Sequence, residues 1–260
     1  MKIKMIVTDI DGTLMNEKNE VSNEIFKIIK ELSHRNIQFV VASGRQINNL
    51  KKIFGVVDED VVFIAQNGAY IEYKNKTLFY DRIKKNIIIK VLELSSILKL
   101  KPLLYTKDIV VTTDSSCQLQ RKLKKYNVEY TIDENYCLDD ICKISLMAMD
   151  GTDIHKYKKE IESIDGISAY ISSKDIIDIT NTQTNKGTAL RYIQYLSNIT
   201  PDETVVFGDS ENDIDMFDRA VHSYAMDNAD SYIKENARHI APGNNNNGVI
   251  STIKSILKGL

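Results

Sequence analysis

In the first third of the chain, largely apolar runs alternate with segments that mix apolar and polar residues. The runs IKMIVTDI, IQFVVAS and VVFIAQ are largely apolar, which is typical of parallel strands that are covered on both faces. Between them, NEIFKIIKELSHRN and INNLKKIF repeat apolar residues at helical spacing. This strand–helix–strand order predicts βαβ units and therefore an α/β fold.

The pattern changes after Gly68, where AYIEY and TLFY flank KNK and predict a hairpin. From Arg82 to Ile179, paired strands are followed by helices, which predicts an α+β unit. The final third returns to strand–helix alternation, with helices predicted over residues 186–198 and 211–219.

This order of segments predicts a Rossmann-like, doubly wound parallel sheet that is interrupted by one inserted α+β domain. We assign residues 1–81 and 180–260 to the sheet-containing core and residues 82–179 to the insert. The run GNNNNG near the end of the chain has low complexity and predicts a solvated surface loop.

The composition excludes several classes of partner. A net charge of -2, with 43% hydrophobic and 27% charged residues, gives no general attraction toward nucleic acid or anionic lipid. Charged residues interrupt every long apolar run, so we expect no membrane-spanning segment. The three cysteines lack CxxC spacing, which favours reduced thiols. We therefore expect a cytoplasmic protein that binds neither nucleic acid nor membranes.

Acidic residues follow two of the predicted strands. Asp9 and Asp11 end the first strand, and Asp209 follows the apolar run TVVFG. Ligands bind at the carboxyl ends of strands in open α/β sheets, and carboxylate oxygens suit Mg²⁺, which would also compensate the like charges. Either cluster alone could instead cap a helix. An EF-hand loop is excluded, because neither DIDGTL nor DSENDIDMFDRA has Gly at position 6 and Glu at position 12.

Two further segments suit phosphate binding. Ser43, Gly44 and Arg45 end the second predicted strand, where a hydroxyl and backbone N–H groups at a helix start could hold phosphate oxygens. The alternative is an ordinary strand-to-helix turn. Lys186 begins a predicted helix, where the helix dipole disfavours a cation. Beside the acidic clusters, we interpret it as a charge directed at a phosphoryl group rather than a solvated surface lysine.

In order and spacing, DIDGTL, ASGR, NKGTAL and GDSENDIDMF resemble the four motifs of the haloacid dehalogenase superfamily. The chain is most similar to the Cof-like branch of sugar-phosphate phosphatases, which carries a large α/β cap between the second and third motifs. The resemblance covers nearly the whole chain, and NGA, YAMDNA and the late NGV also resemble that branch. It implies that the insert is a cap that selects the substrate.

The resemblance also implies roles for individual residues. Asp9 matches the nucleophile that forms an aspartyl-phosphate, and Asp11 matches the general acid and base. Mg²⁺ would be held by the Asp9 carboxylate, the Asp11 backbone carbonyl and Asp209, with Asp213 supporting the metal or the lysine. The implied phosphate contacts are the Ile10 amide, the Ser43 hydroxyl, the Gly44 amide, Arg45, Lys186 and the Asn212 side chain. Ser43 and Lys186 join the two aspartates as the implied catalytic residues.

These observations predict a Mg²⁺-dependent phosphatase that hydrolyses small phosphorylated metabolites, with sugar phosphates as the favoured class. A phosphosugar mutase on the same scaffold is the first alternative. A phosphoacceptor signalling protein is the second, although that class is expected to be a single compact domain without an insert. A closing cap can work within one chain, so we expect a monomer or a weak homodimer.

Overall fold

The computed structural model describes residues 2–125, 128–149 and 153–259. The chain forms two compact units. The core unit consists of the segments up to Phe79 and from Asn185, and the insert unit is Tyr80–Thr184. These limits lie slightly outside those predicted for the inserted domain. Among the described residues, none of the helices combines the length and apolar character that crossing a membrane requires.

The described residues contain strands and helices in alternation. The strands are β1 (Met5–Thr8), β2 (Gln38–Ala42), β3 (Val61–Ala65), β4 (Tyr70–Tyr73), β5 (Lys76–Tyr80), β6 (Lys101–Tyr105), β7 (Val110–Thr112), β8 (Thr131–Ile132), β9 (Lys143–Met147), β10 (Ile167–Ser173), β11 (Ile176–Asn181), β12 (Thr204–Gly208), β13 (His222–Met226) and β14 (His239–Ala241). The helices are α1 (Glu24–His34), α2 (Ile47–Phe54), α3 (Lys85–Ile97), α4 (Cys117–Lys125), α5 (His155–Glu162), α6 (Lys186–Ser197), α7 (Ile214–Phe217), α8 (Ser231–Asn236) and α9 (Gly248–Lys258).

The core unit is built on an eight-stranded sheet in the order β14-β13-β12-β1-β2-β3-β4-β5. The strands from β14 to β3 are parallel, and β4 runs antiparallel to β3. The central strand β1 is buried throughout and pairs Val7 with Val40 and Val206. The strand order reverses beside β1, which is the place where α/β sheets bind ligands.

Helices cover both faces of this sheet. On one face, Met5 and Val7 lie in a cluster with Leu190 and Ile193 of α6 and Met216 of α7. On the other side, Phe54 of α2 makes edge-to-face ring contacts with Phe26 of α1 and Phe63 of β3, with centroids 6.1 Å apart in each pair. The predicted Rossmann-like, doubly wound core is confirmed.

The insert unit has a separate six-stranded sheet in the order β10-β11-β9-β6-β7-β8. Its neighbours are antiparallel apart from the β7–β8 pair. Ile144 and Leu146 of β9 lie in an apolar cluster with Ile88 and Val91 of α3 and Ile161 of α5. Because side chains alternate along a strand, the opposite face of β9 carries its polar residues.

Two sequence-based expectations are wrong in detail. The helix predicted over 211–219 is a short turn at Glu211–Asp213 followed by the four-residue α7, and the Asp213 carboxylate caps the turn by accepting from the amides of Asp209 and Ser210. The GNNNNG loop is only partly solvated. Asn244 is buried and its side-chain amide donates to the Met15 carbonyl over 2.7 Å.

Candidate active site

Asp9 and Lys186 form the buried centre of the site. Asp9 follows β1, and its amide donates to the Phe207 carbonyl of β12 over 3.0 Å. The Lys186 ammonium lies 2.7 Å from Asp9 Oδ1, and this lysine is 1% exposed. Asp9 Oδ2 has no hydrogen-bond partner among the described residues. One oxygen of Asp9 is therefore fixed by a cation, while the other is left available.

Lys186 is the first residue of α6, and its position is fixed by the helix cap at Asn185. The Asn185 side chain accepts a hydrogen bond from the Thr188 amide over 2.7 Å, and the Thr188 hydroxyl accepts from the Asn185 amide over 3.1 Å. This reciprocal capping box fixes the helix start. Burial alone lowers the pKa of Lys186, but Asp213 and Asp9 outweigh that effect and raise the pKa above its usual value. The lysine is therefore a stable cation.

Asp213 supports both the lysine and the loop after β12. Its Oδ1 lies 2.7 Å from the Lys186 ammonium, and its Oδ2 accepts from the amides of Asp209 and Ser210 over 2.9 and 3.0 Å. Asp213 is fully buried. Because Asp213 is fully buried and its oxygens bond the Lys186 ammonium and two backbone amides, we interpret it as a support for the lysine and the loop rather than as a metal ligand.

Asp209 faces the turn that follows β1. Its Oδ1 accepts from the Thr13 hydroxyl over 2.6 Å, and its Oδ2 accepts from the Ser210 hydroxyl over 3.2 Å. Gly12, with φ of +79°, lies so close that a Cβ there would overlap Asp209 Oδ2. Burial, followed by the charge of Asp213, raises the pKa of Asp209 to about 7.

The donor set fits a divalent cation. Carboxylate oxygens of Asp9, Asp209 and Asp213 lie within 4.8 Å of one another. Burial raises the pKa of Asp9 well above its usual value, the neighbouring carboxylates add to this effect, and Lys186 opposes it. One lysine cannot balance three clustered carboxylates, so a bound cation would stabilise their ionised forms. Hard oxygen donors are the ligands that Mg²⁺ prefers.

Asp11 lies at the exposed side of the same turn and is bound by Arg45. Arg45 Nε donates to Asp11 Oδ2 over 2.7 Å, and Arg45 Nη2 donates to Asp11 Oδ1 over 2.5 Å. The Asp11 side chain is 51% exposed, against 25% for Arg45. The guanidinium that the sequence assigns to phosphate therefore binds a carboxylate of the site in this structure.

The predicted phosphate-binding residues lie at the ends of β2 and β12. Ser43 is buried, and its hydroxyl accepts from the Arg45 amide over 3.1 Å. The Asn212 side-chain amide donates to Asn67 Oδ1 over 2.9 Å. A Cβ at Gly44 would lie 3.1 Å from the same Asn67 oxygen. Asn67 thus joins the two predicted phosphate-binding segments.

Ile10 differs from the other predicted residues because its side chain is fully buried, so any contact with a ligand falls to its backbone. The structure thus gathers Asp9, Lys186, Asp209 and Asp213 in one cluster. It places Asp11 with Arg45, and Asn212 with Asn67.

The sequence interpretation assigned no role to several polar residues that hold the site together. Thr13 bonds Asp209, and the Asn228 side chain donates to the Gly12 carbonyl over 2.8 Å. Asn228 Oδ1 also accepts from the Asn244 amide over 2.9 Å. Thr13 lies in the segment DIDGTL, Asn67 in NGA and Asn228 in YAMDNA, all of which resemble the superfamily. That resemblance was the signal that could have found these three residues.

The sequence matches the haloacid dehalogenase-like hydrolases over residues 6–253, and the chain belongs to this family. It is 29% identical over 264 residues to the 5-amino-6-(5-phospho-D-ribitylamino)uracil phosphatase YbjI of Escherichia coli, covering 99% of this chain and 97% of that protein. It is 27% identical over 257 residues to a phosphoglycolate phosphatase of Archaeoglobus fulgidus, covering 97% and 96%.

Solved structures agree with this assignment. A crystal structure from Streptococcus mutans has a TM-score of 0.90 and 28% identity, covering 99% of this chain and 100% of that chain. A crystal structure from Thermotoga maritima has a TM-score of 0.82 and 26% identity, covering 97% of both chains. The protein is therefore a hydrolase with the fold of this family.

Proposed function

We propose that the protein is a Mg²⁺-dependent phosphatase that hydrolyses small phosphorylated metabolites through an aspartyl-phosphate. The observation that carries the proposal is the state of Asp9, whose Oδ1 is fixed by Lys186 while its Oδ2 has no hydrogen-bond partner within the described part of the chain. A carboxylate held in this way is oriented for attack on phosphorus. The family and the names of the relatives support the same reaction.

In the first step, a carboxylate oxygen of Asp9 forms a bond to phosphorus while the bond from phosphorus to the ester oxygen breaks. Asp11 gives its proton to the departing alkoxide. In the second step, Asp11 takes a proton from water, and the water oxygen forms a bond to phosphorus as the bond from phosphorus to the Asp9 oxygen breaks. Inorganic phosphate leaves, and both aspartates return to their initial state.

Lys186 remains cationic throughout and reduces the repulsion between the Asp9 carboxylate and the phosphate. The Ser43 hydroxyl, the Gly44 amide and the Asn212 side chain would hold phosphate oxygens. Asp9, Asp209 and the Asp11 carbonyl are the proposed ligands of Mg²⁺. The metal would supply further neutralisation of negative charge on the phosphoryl oxygens.

The names of the relatives support a proposal for the substrate class. Two relatives are named as phosphatases of a phosphoribitylamino compound and one as a phosphoglycolate phosphatase, all of them small phosphorylated molecules. We assign substrate selection to the insert unit and favour sugar or sugar-alcohol phosphates. Every proposed catalytic residue lies on one chain, so we expect a monomer to be active.

The test is a panel of phosphorylated metabolites incubated with the purified protein, with and without Mg²⁺, and assayed for free phosphate. We expect Mg²⁺-dependent release of phosphate, and none from Asp9→Asn, because an amide is not a comparable nucleophile. Lys186 keeps Asp213 as its partner in that variant, so its thermal unfolding should resemble that of the wild type. An isomerised phosphosugar without free phosphate would contradict the hydrolase proposal, and near-normal turnover by Asp9→Asn would contradict the covalent route.

A further inference from the structure

Arg45 is the cation of the site that the proposed mechanism leaves unused. The phosphate-binding role predicted for it requires its guanidinium to be directed at the substrate. In this structure its Nε and Nη2 instead donate to the two oxygens of one carboxylate, that of Asp11, and Nη2 also donates to Met15 Sδ over 3.4 Å. Planar guanidinium groups match carboxylates in this two-bond geometry, and a lysine ammonium does not.

The backbone of Arg45 is held independently of its side chain. Its amide donates to the Ser43 hydroxyl over 3.1 Å, and its carbonyl accepts from the Gln66 amide over 3.0 Å. Both partners lie at the ends of strands of the central sheet, and the Ser43 amide is itself bonded to the Ile64 carbonyl. The guanidinium is therefore carried on a rigid base next to the turn that bears Asp11.

Asp11 has little else to fix its orientation. Its side chain is half-exposed and follows a buried residue in a turn, and Arg45 is its only hydrogen-bond partner among the described residues. An exposed carboxylate without a partner samples several rotamers, whereas proton transfer needs it at hydrogen-bond distance from the ester oxygen. The pair with Arg45 can therefore fix the orientation of the Asp11 side chain.

We propose that Arg45 is a positioning residue, which orients the Asp11 carboxylate for proton transfer to and from the substrate instead of binding the phosphate. This inference rests on the proposed function. Two hydrogen bonds from one planar group fix both the position and the rotation of the Asp11 carboxyl group, which a single contact would not do.

The proposal separates two kinds of substrate. An alkyl phosphate has a poor leaving group and depends on the proton from Asp11, whereas a nitrophenyl phosphate has a good one and needs that proton far less. A residue that acts through Asp11 therefore affects the alkyl ester selectively. A residue that binds phosphate affects both esters alike, because they share the same phosphoryl group.

The experiment measures kcat and KM of wild type, Arg45→Gln and Arg45→Lys on both esters with Mg²⁺. For Arg45→Gln we expect kcat/KM on the alkyl ester to fall by about 10²-fold, within the range of general acid catalysis, mainly through kcat. On the nitrophenyl ester we expect a change within about threefold. Arg45→Lys retains the charge but not the two-bond geometry, and should restore only part of the alkyl activity.

A double-variant cycle sharpens the test. In an Asp11→Asn background, Arg45→Gln should cause no further loss on the alkyl ester, because the residue through which it acts is already gone. An additional loss of the same size, or an equal loss on both esters in the single variant, would overturn the proposal and return Arg45 to phosphate binding. The control is Arg35→Gln, which breaks an exposed pair with Glu31 on α1 and should leave both esters unchanged.

The outcomes distinguish this proposal from the function on which it rests. If the wild type hydrolyses neither ester, the proposed phosphatase activity is contradicted. If the wild type hydrolyses both and the Arg45 variants show no preference between them, only the positioning role fails. Circular dichroism and thermal unfolding establish that each variant is folded, and Arg45→Lys serves for the comparison if Arg45→Gln does not fold.

Discussion

Lys186 shows how a single residue depends on its surroundings for its charge. It lies at a helix start, where the dipole disfavours a cation, and it is almost completely buried. Both effects are opposed by Asp9 and Asp213, each 2.7 Å from the ammonium. The three residues come from different parts of the chain, so their charges compensate one another in the buried site only once the fold is complete.

Replacing this lysine should therefore affect stability as well as activity. Lys186→Met leaves two buried carboxylates without their cation, and we expect the free energy of unfolding to fall by about 3–5 kcal/mol with loss of hydrolysis. Urea unfolding measures the first effect. Lys254→Met, which breaks the exposed pair with Glu24, is the matched control and should change stability by less than about 0.5 kcal/mol. Equal urea midpoints for the two variants would contradict this assignment.

At the scale of elements, the site is made by the ends of neighbouring strands. The register of β1 and β12 pairs Thr8 with Phe207, which brings the residues after each strand to the same edge. The chain then turns sharply at Gly12, and this turn packs directly against Asp209. Close approach of these two segments therefore requires a residue without a side chain.

Gly12→Ala tests that requirement. The new Cβ would overlap Asp209, and alanine is strained at a φ of +79°, so the turn must move. We expect a loss of about 1 kcal/mol or more in the free energy of unfolding and a higher Mg²⁺ concentration at half-maximal activity. Gly259→Ala is the control, because its nearest neighbouring atom would lie 3.6 Å away. An unchanged Mg²⁺ requirement in Gly12→Ala would exclude Asp209 as the ligand positioned by this turn.

Cys142 provides a test of packing in the insert unit. It precedes β9, and its thiol donates to the Tyr105 carbonyl over 3.3 Å. Burial raises the pKa of this thiol to about 12, so little thiolate forms at about pH 8. We expect alkylation at that pH to label the exposed Cys117 and Cys137 rapidly and Cys142 only after denaturation, as read by mass spectrometry. Rapid native labelling of all three would contradict the packing around β9.

The elements and the chemistry of the site differ in how far the sequence predicts them. Apolar strands such as Val61–Ala65 carry their own signal, because both faces are buried and little else is compatible with such a run. The helix after β12 carries a signal for its start, because Ser210 and Asp213 form a capping box. Its early end at Phe217 carries none, since local propensity does not show where the tertiary structure ends a helix.

The polar contacts of the site were harder still to predict. Asn244 lies in a run of four asparagines that reads as solvated surface, yet it reaches the Met15 carbonyl at the other end of the chain. The two bonds from Arg45 to Asp11 are equally invisible in sequence, because a motif shows which residues are near a site but not which atoms they contact. Such partners are fixed by tertiary structure alone.

For the whole molecule, the unbalanced carboxylates predict that a cation stabilises the fold. Ligand bound only to the native state at a hundred times its Kd adds about 2.7 kcal/mol, which corresponds to a rise in Tm on the order of 5 °C for a chain of this size. We expect saturating Mg²⁺ to raise Tm by this order relative to chelator, and Asp209→Asn to lose most of the rise. Calorimetry measures both, and an equal rise in the variant would contradict Asp209 as a ligand.

The same measurement has a defined pH dependence. The raised pKa of Asp209, about 7, means that protons compete with the cation below that pH. The rise in Tm caused by Mg²⁺ should therefore shrink as the pH is lowered from about 8 to about 6. A rise that is constant over this interval would show that protonation of the cluster does not oppose metal binding.

The position of β1 between β2 and β12 has a consequence for biosynthesis. β2 ends at Ala42, so one side of β1 can pair soon after it leaves the ribosome, whereas β12 ends at Gly208. Until then the nascent chain exposes the backbone of an apolar strand on one edge, a state that favours association with other chains. Translation that stops within the insert would leave a fragment without β12, which is therefore prone to aggregate. The same fragment lacks Lys186 and Asp209, so it would have no catalytic activity.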